Sequence, residues 1–142
     1  MANSTMLKFG YPDTLIREWD HWAVLVRPAQ VTLGSLVLAA RSAATAYSDL
    51  PDKAFAEQAA AVRAIEAALG RFCRYERINY LMLMMVDPNV HFHVIPRYSK
   101  QREWNGMEFA DHGWPGPPDL KSAVGFQPSQ IDALREELRR LF

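Results

Sequence analysis

Asp87-Pro88-Asn89-Val90-His91-Phe92-His93-Val94-Ile95-Pro96-Arg97 is the stretch on which the reading of the chain turns. Apolar and polar side chains alternate along it, as a strand with one buried face requires. Val90, Phe92 and Val94 share a face that can enter a core. Asn89, His91 and His93 share the other, which is expected to face outward. Pro96 has no ladder donor, so the strand is expected to end near it or to lie at an edge. Two imidazoles thus stand side by side on one rigid element. Imidazole titrates near neutral pH, so one ring can act as a neutral nucleophile while its neighbour donates a proton or a hydrogen bond. The His-x-His spacing by itself leaves three readings open: phosphate chemistry, a metal site, or half-exposed strand residues with no role.

The rest of the chain bounds the choice. A length of 142 residues suits one domain with its own core. Lys plus Arg and Asp plus Glu number 16 each, so nothing predicts binding to a long polyanion such as nucleic acid. A small anion needs only a local positive site and remains compatible. The single cysteine, Cys73, cannot form an internal disulfide, which fits a reducing compartment. Cys73 is expected to pack as a small apolar residue. No stretch is apolar for long enough to span a bilayer, and the opening residues do not resemble an export signal. A cytoplasmic protein is expected.

Residues 1–13 are polar and turn-rich and are expected to have little regular structure. Thr14–Trp19 and Trp22–Val26 read as antiparallel strands joined by Asp20-His21, and Ser35–Ala39 as a third. His21 is expected to be a solvated turn residue. Ser48 or Asp49 can cap a helix of about twenty residues with Pro51 in its first turn. Its apolar stripe reads Phe55, Gln58/Ala59, Val62, Ile65, Leu69 and Phe72. Glu76–Met85 reads as a fourth strand, apolar on both faces and therefore central. A four-residue joint would make it a hairpin with the motif strand. Its methionines suit either a central strand or an adaptable ligand surface. Ser99–Gln127 shows no periodicity. Its spaced aromatics argue against disorder and suit core packing better than stacking on a ligand's base. His112 within it is expected to be unremarkable. Pro128-Ser129 opens a last helix, with Ser129 and Asp132 at capping-box spacing. The fold class is α+β: about five antiparallel strands, one long helix and a C-terminal helix. Residues 1–142 are read as one domain, with a core over about 14–100 and a C-terminal loop and helix over 101–142.

The longer string His91-Phe92-His93-Val94-Ile95-Pro96-Arg97 resembles the signature of the histidine triad family, His-φ-His-φ-His-φ-φ with φ apolar. Pro28–Leu38 is similar to that family's upstream turn and strand, and Tyr47-Ser48-Asp49-Leu50 to the entry of its long helix. The resemblance spans about residues 14–100. It aligns His93 with the third histidine, His91 with the second and Asn89 with the first, so the first position is substituted. What it implies is a nucleotide hydrolase or nucleotidyl transferase. His91 would attack the α-phosphorus, its other nitrogen donating to the backbone carbonyl of Asn89, and His93 would donate to a phosphate oxygen. Beside what the resemblance implies, Arg97 has two readings: a positive charge near the leaving group, or an exposed charge at the strand end. The family's ribose contact falls at Arg27, and that role is not carried over. The polar residue that helps bind phosphate is replaced by Met85, Val86 and Asp87. The expected partners are a small nucleotide substrate and a second copy of the chain in a homodimer, with no cofactor and no metal. One alternative is a nucleotide-binding protein with little or no turnover. Another is a metal-dependent hydrolase using His91, His93 and either His112 or His21.

Overall fold

Trp22–Val26 shows how the sheet sorts its residues. Trp22, Val24 and Val26 point to one face, while Ala23 and Leu25 point to the other. All five are fully buried, so both faces of this strand are covered. The computed structural model describes residues 2–142. Its main sheet contains β1 (Leu15–Glu18), β2 (Trp22–Val26), β4 (Leu36–Ala40), β5 (Arg77–Leu81) and β6 (His91–Arg97). The order is β1-β2-β4-β6-β5 and every pairing is antiparallel. β3 (Ala29–Gln30) pairs outside this sheet with β9 (Val124–Gly125).

The back face carries Trp22, Val24, Val26, Leu36, Leu38, Val90 and Val94. Helix α2 (Asp52–Cys73) covers it with Ala54, Ala61, Ile65 and Leu69, and helix α3 (Pro128–Arg139) adds Leu134 and Leu138. The small alanines let the α2 backbone come close, and Trp22 Nε1 donates to Ala54 O at 2.7 Å. Cys73 lies in the same core, donates to Leu69 O, and burial pushes its thiol up to about 11. That value describes an inert packed thiol. Among the described residues no helix is long and apolar enough to cross a membrane.

Several expectations are corrected here. The first residues are not irregular: Ser4–Lys8 form α1, capped by Asn3, whose side chain accepts from Met6 N–H at 2.9 Å. The fourth strand of the main sheet, β5, is at its edge rather than its centre, because β6 sits between it and β4. It stops at Leu81, leaving Leu83, Met85 and Val86 exposed in a connection over 82–90 instead of a four-residue joint. The buried stripe of α2 runs Ala54, Ala61, Ile65, Ala68, Leu69 and Cys73, and Phe55 sits 39% exposed against Tyr47. The larger aromatic ring does not fit where the helix approaches the sheet, and alanine does. Residues 101–127 are not without regular structure. They contain the hairpin β7 (Arg102–Trp104) and β8 (Met107–Phe109) and the short β9. Three of its four spaced aromatics pack as expected: Trp104 stacks on Phe126, and Phe109 and Phe126 enter the core, whereas Trp114 lines a cavity beside Arg97. The capping box of α3 is made by Gln127 and Gln130, two residues before the expected pair.

Candidate functional site

In β6, His93 pairs with Val37 and His91 with Ala39, and these pair in turn with Leu25 and Ala23 of β2. Cross-strand partners share a face, so the histidines continue the small-residue front face of the sheet. Met6 of α1 packs on Ala23, Leu25, Val37 and Ala39. The Phe9 ring lies 5.7 Å from that of His91 and 5.6 Å from that of His93. The expectation of an outward-facing pair is therefore corrected: His91 is 2% exposed, His93 7% and Asn89 6%. Strand alternation placed the histidines opposite the core face, and the N-terminal segment then closed over them.

Asn89 holds that cover in place. Its Oδ1 accepts from Ser4 Oγ, Thr5 N–H and Thr5 Oγ1 at 3.1, 3.3 and 3.1 Å. Its own N–H donates to Thr5 Oγ1, and its Nδ2 donates to Ala43 O, each at 3.1 Å. Asn3 Nδ2 bonds to Ala40 O and Ser42 O, both at 2.8 Å, and Lys8 pairs with Asp87 at 2.9 Å.

The two imidazoles are edge-to-face with centroids 5.2 Å apart. His91 Nδ1 lies 2.7 Å from Asn89 O. A carbonyl only accepts, so Nδ1 carries the proton and Nε2 keeps its lone pair. Nε2 has no hydrogen-bond partner among the described residues and is not an enclosed unpaired atom. His91 and His93 open onto a pocket of about 180 Å³, walled by the apolar Leu83–Val86 connection and Asp87. On the other side Arg27 Nε donates to His93 Nδ1 at 3.2 Å. Burial first, then the Arg27 charge, then His91 hold His93 down at about 4, with Asp87 acting weakly in the opposite direction.

Arg97 lies at the far end of the same face and is committed to the fold. Its guanidinium is 4% exposed and grips Asp111 through two bonds of 2.7 and 3.0 Å, with further bonds to Asn79 Oδ1 and Gly116 O. The expected contact with a leaving group is replaced by this internal one. A cavity of about 590 Å³ beside it is lined by Arg77, Asn79 and the Trp114–Pro117 turn. It is larger than the histidine pocket but contains no nucleophile, so the chemistry points to the smaller space. Among the described residues no three His, Cys, Asp or Glu side chains are grouped to hold a metal ion. The metal-hydrolase alternative therefore lacks its third ligand from His112 or His21. Sequence reasoning missed Phe9, Arg27 and the Ser4–Thr5 contacts. Only the resemblance at Arg27 marked any of these positions.

No family model and no curated protein sequence matches the chain. Solved structures do. A histidine triad protein from Sinorhizobium meliloti superposes with a TM-score of 0.77 at 17% identity, over 100% of this chain and 96% of that one. One from Bradyrhizobium japonicum gives 0.69 at 18%, over 99% and 96%. The diadenosine triphosphate hydrolase of Plasmodium falciparum gives 0.66 at 11%, over 91% and 76%. The protein has the histidine triad fold. His91 and His93 both lie on β6 of that fold.

Proposed function

We propose that the protein is a nucleotide hydrolase or nucleotidyl transferase of the histidine triad type, with Asn89 in the place of the first histidine. His91 is the nucleophile toward the α-phosphorus of a nucleoside phosphate ester, anhydride or phosphoramidate. The observation that carries the reading is the 2.7 Å contact from His91 Nδ1 to Asn89 O. It leaves the Nε2 lone pair free, and it uses the backbone of residue 89, which any side chain there would still supply. The Nε2 lone pair forms a bond to phosphorus as the bond to the leaving group breaks, and that group takes a proton from water. The ring becomes cationic while its Nδ1–H stays on Asn89 O. His93 donates from Nε2 to a non-bridging oxygen as charge gathers there. Water, or another acceptor, then attacks phosphorus and gives up its proton to the hydroxide left by the first step as the N–P bond breaks, restoring neutral His91. The relay divides one difficult displacement into two easier ones.

The histidine triad fold and the hydrolase neighbour support a nucleotide as substrate. The pocket of about 180 Å³ is roomy enough for a phosphoryl group. It is smaller than the roughly 300–1,000 Å³ of pockets that enclose whole ligands. The nucleoside therefore occupies the mouth or displaces α1. That tight cover favours a second reading, a nucleotide-binding protein with little turnover. The primary reading includes a cytoplasmic homodimer, for which the unpaired edge of β5 leaves room. Intact-mass measurement after mixing with an adenosine 5′-phosphoramidate, quenched at alkaline pH, tests it. An AMP adduct that maps to His91 and is missing from His91→Ala is expected. Calorimetric AMP binding with no adduct and no turnover would establish the binder instead.

A further inference from the structure

The two imidazoles of the site are held in opposite tautomers, and different parts of the chain hold them. His91 has its proton on Nδ1, fixed by Asn89 O two residues earlier on the same strand. His93 is fixed from across the sheet. A guanidinium has donors and no acceptor, so the 3.2 Å contact from Arg27 Nε makes His93 Nδ1 the acceptor. In a neutral ring the single proton is then on Nε2. We infer that Arg27 is a positioning residue that locks His93 as the Nε2–H tautomer, so that the pair presents one free lone pair and one donor.

Arg27 is itself built in. It follows the last residue of β2, and its N–H donates to Ser35 O at 3.1 Å. Its carbonyl accepts from the fully buried Gln30 at 2.7 Å, and its Nη1 bonds Ala29 O. Gln30 Oε1 accepts from Gly34 N–H and Ser35 N–H at 2.9 and 3.1 Å, closing the turn from residue 27 to 35. Gly34 has φ +96°, a left-handed conformation that a side chain would strain. The turn is thus held by the chain's own hydrogen bonds, and it aims the guanidinium at His93. A protonated His93 would set an N–H against an N–H of a cation. The charged and titratable groups acting on the ring are Arg27 at the end of β2, His91 on β6 and Asp87 in the preceding connection. Lys8 of α1 already neutralises Asp87, and Phe9 adds no charge. The environment therefore keeps His93 a neutral donor through the physiological range.

The catalytic consequence rests on the nucleotidyl-transfer reading, whereas the tautomer itself does not, and the experiment separates them. Long-range ¹H–¹⁵N correlation on uniformly ¹⁵N-labelled protein, without substrate, reads the proton position on each ring from pH 5.5 to 8. Wild type is expected to show His93 as Nε2–H only, unchanged over that range, and the neutral His91 ring as Nδ1–H. Arg27→Met is expected to turn His93 into a tautomer mixture that takes up a proton at higher pH, with His91 unchanged. Arg27→Lys keeps a cationic donor and is expected to restore much of the wild-type pattern, which also guards against a variant that merely misfolds. With an adenosine phosphoramidate, Arg27→Met is expected to lower kcat at nearly constant KM, by less than the roughly 100–1,000-fold that full loss of one transition-state donor costs, because part of the His93 population keeps its Nε2–H. If His93 in Arg27→Met keeps a single Nε2–H tautomer and the wild-type pH response, the inference is overturned. A wild-type protein with the expected spectra but no turnover and no adduct would overturn only the nucleotidyl-transfer reading.

Discussion

The two faces of the one sheet are both buried, but by different means. The back face is sealed by α2, a 22-residue helix, and by α3, mainly through apolar contact, with the Trp22 Nε1–Ala54 O bond added to it. The front face is sealed at the histidine end by α1, only five residues long and tied down through Asn3 and Asn89. At its other end the seal is the Arg97–Asp111 pair. A greasy seal is strong and carries no chemistry. A polar seal can be opened, and it keeps titratable groups near a pocket. A short cover held by a few hydrogen bonds is drawn from the low-stability end of a structure, where sites that must admit a ligand are found.

The comparison can be broken at four points. The largest effect is expected at the Arg97 end. Arg97→Ala leaves Asp111, 1% exposed, buried without its cation. Removing one partner of such a pair costs about 3–5 kcal/mol. Urea unfolding should show this as a lower midpoint at unchanged slope; a loss under 1 kcal/mol would mean that this end is not a seal. On the back face, Ile65→Ala should cost about 2–5 kcal/mol as a cavity opens under the sheet. The His91 and His93 tautomers should stay as in wild type, and a change in them would deny that the faces are independent.

The third test is acidity. His93 is held at about 4 against an ordinary 6.5, so between those values the unfolded chain binds more protons. Stability then rises with pH across this window. The contribution is complete above pH 6.5 and is lost as pH falls through 4, amounting to about 3 kcal/mol at most. Thermal melts of wild type and His93→Gln should diverge in slope over that range, and parallel curves would remove His93 from the account. The smallest effect belongs to the latch. Asn89→Ala removes the side-chain bonds to Ser4, Thr5 and Ala43 at a cost of about 1–3 kcal/mol. Amide exchange in α1 should accelerate while α2 keeps its protection. Equal protection of both helices in the variant would show that α1 does not depend on Asn89.

The long helix, the antiparallel pairing of β1 with β2 and of β5 with β6, and the α+β class were all legible in the residues. So was the facing of Val90 and Val94 away from His91 and His93. The apolar run at Met82–Met85 misled, because hydrophobicity does not say whether a segment is central, at an edge or beyond the strand. The stripe of α2 was right at Ile65 and Leu69 and misled at Phe55, because large apolar residues were counted while the close approach to the sheet selected alanines.

What the sequence alone determined is what the backbone imposes locally: which side chains share a face, where turns fall, and that residue 89 presents a carbonyl two positions before His91. The tertiary structure decided what comes to rest on each face. Arg97 follows the histidines closely in sequence, yet Asp111 claims it fourteen residues on. Arg27 is sixty-six residues from His93 and touches it. Alternation along a strand is set by neighbouring dihedrals, whereas such partners are chosen by packing across the whole chain, which no local pattern encodes.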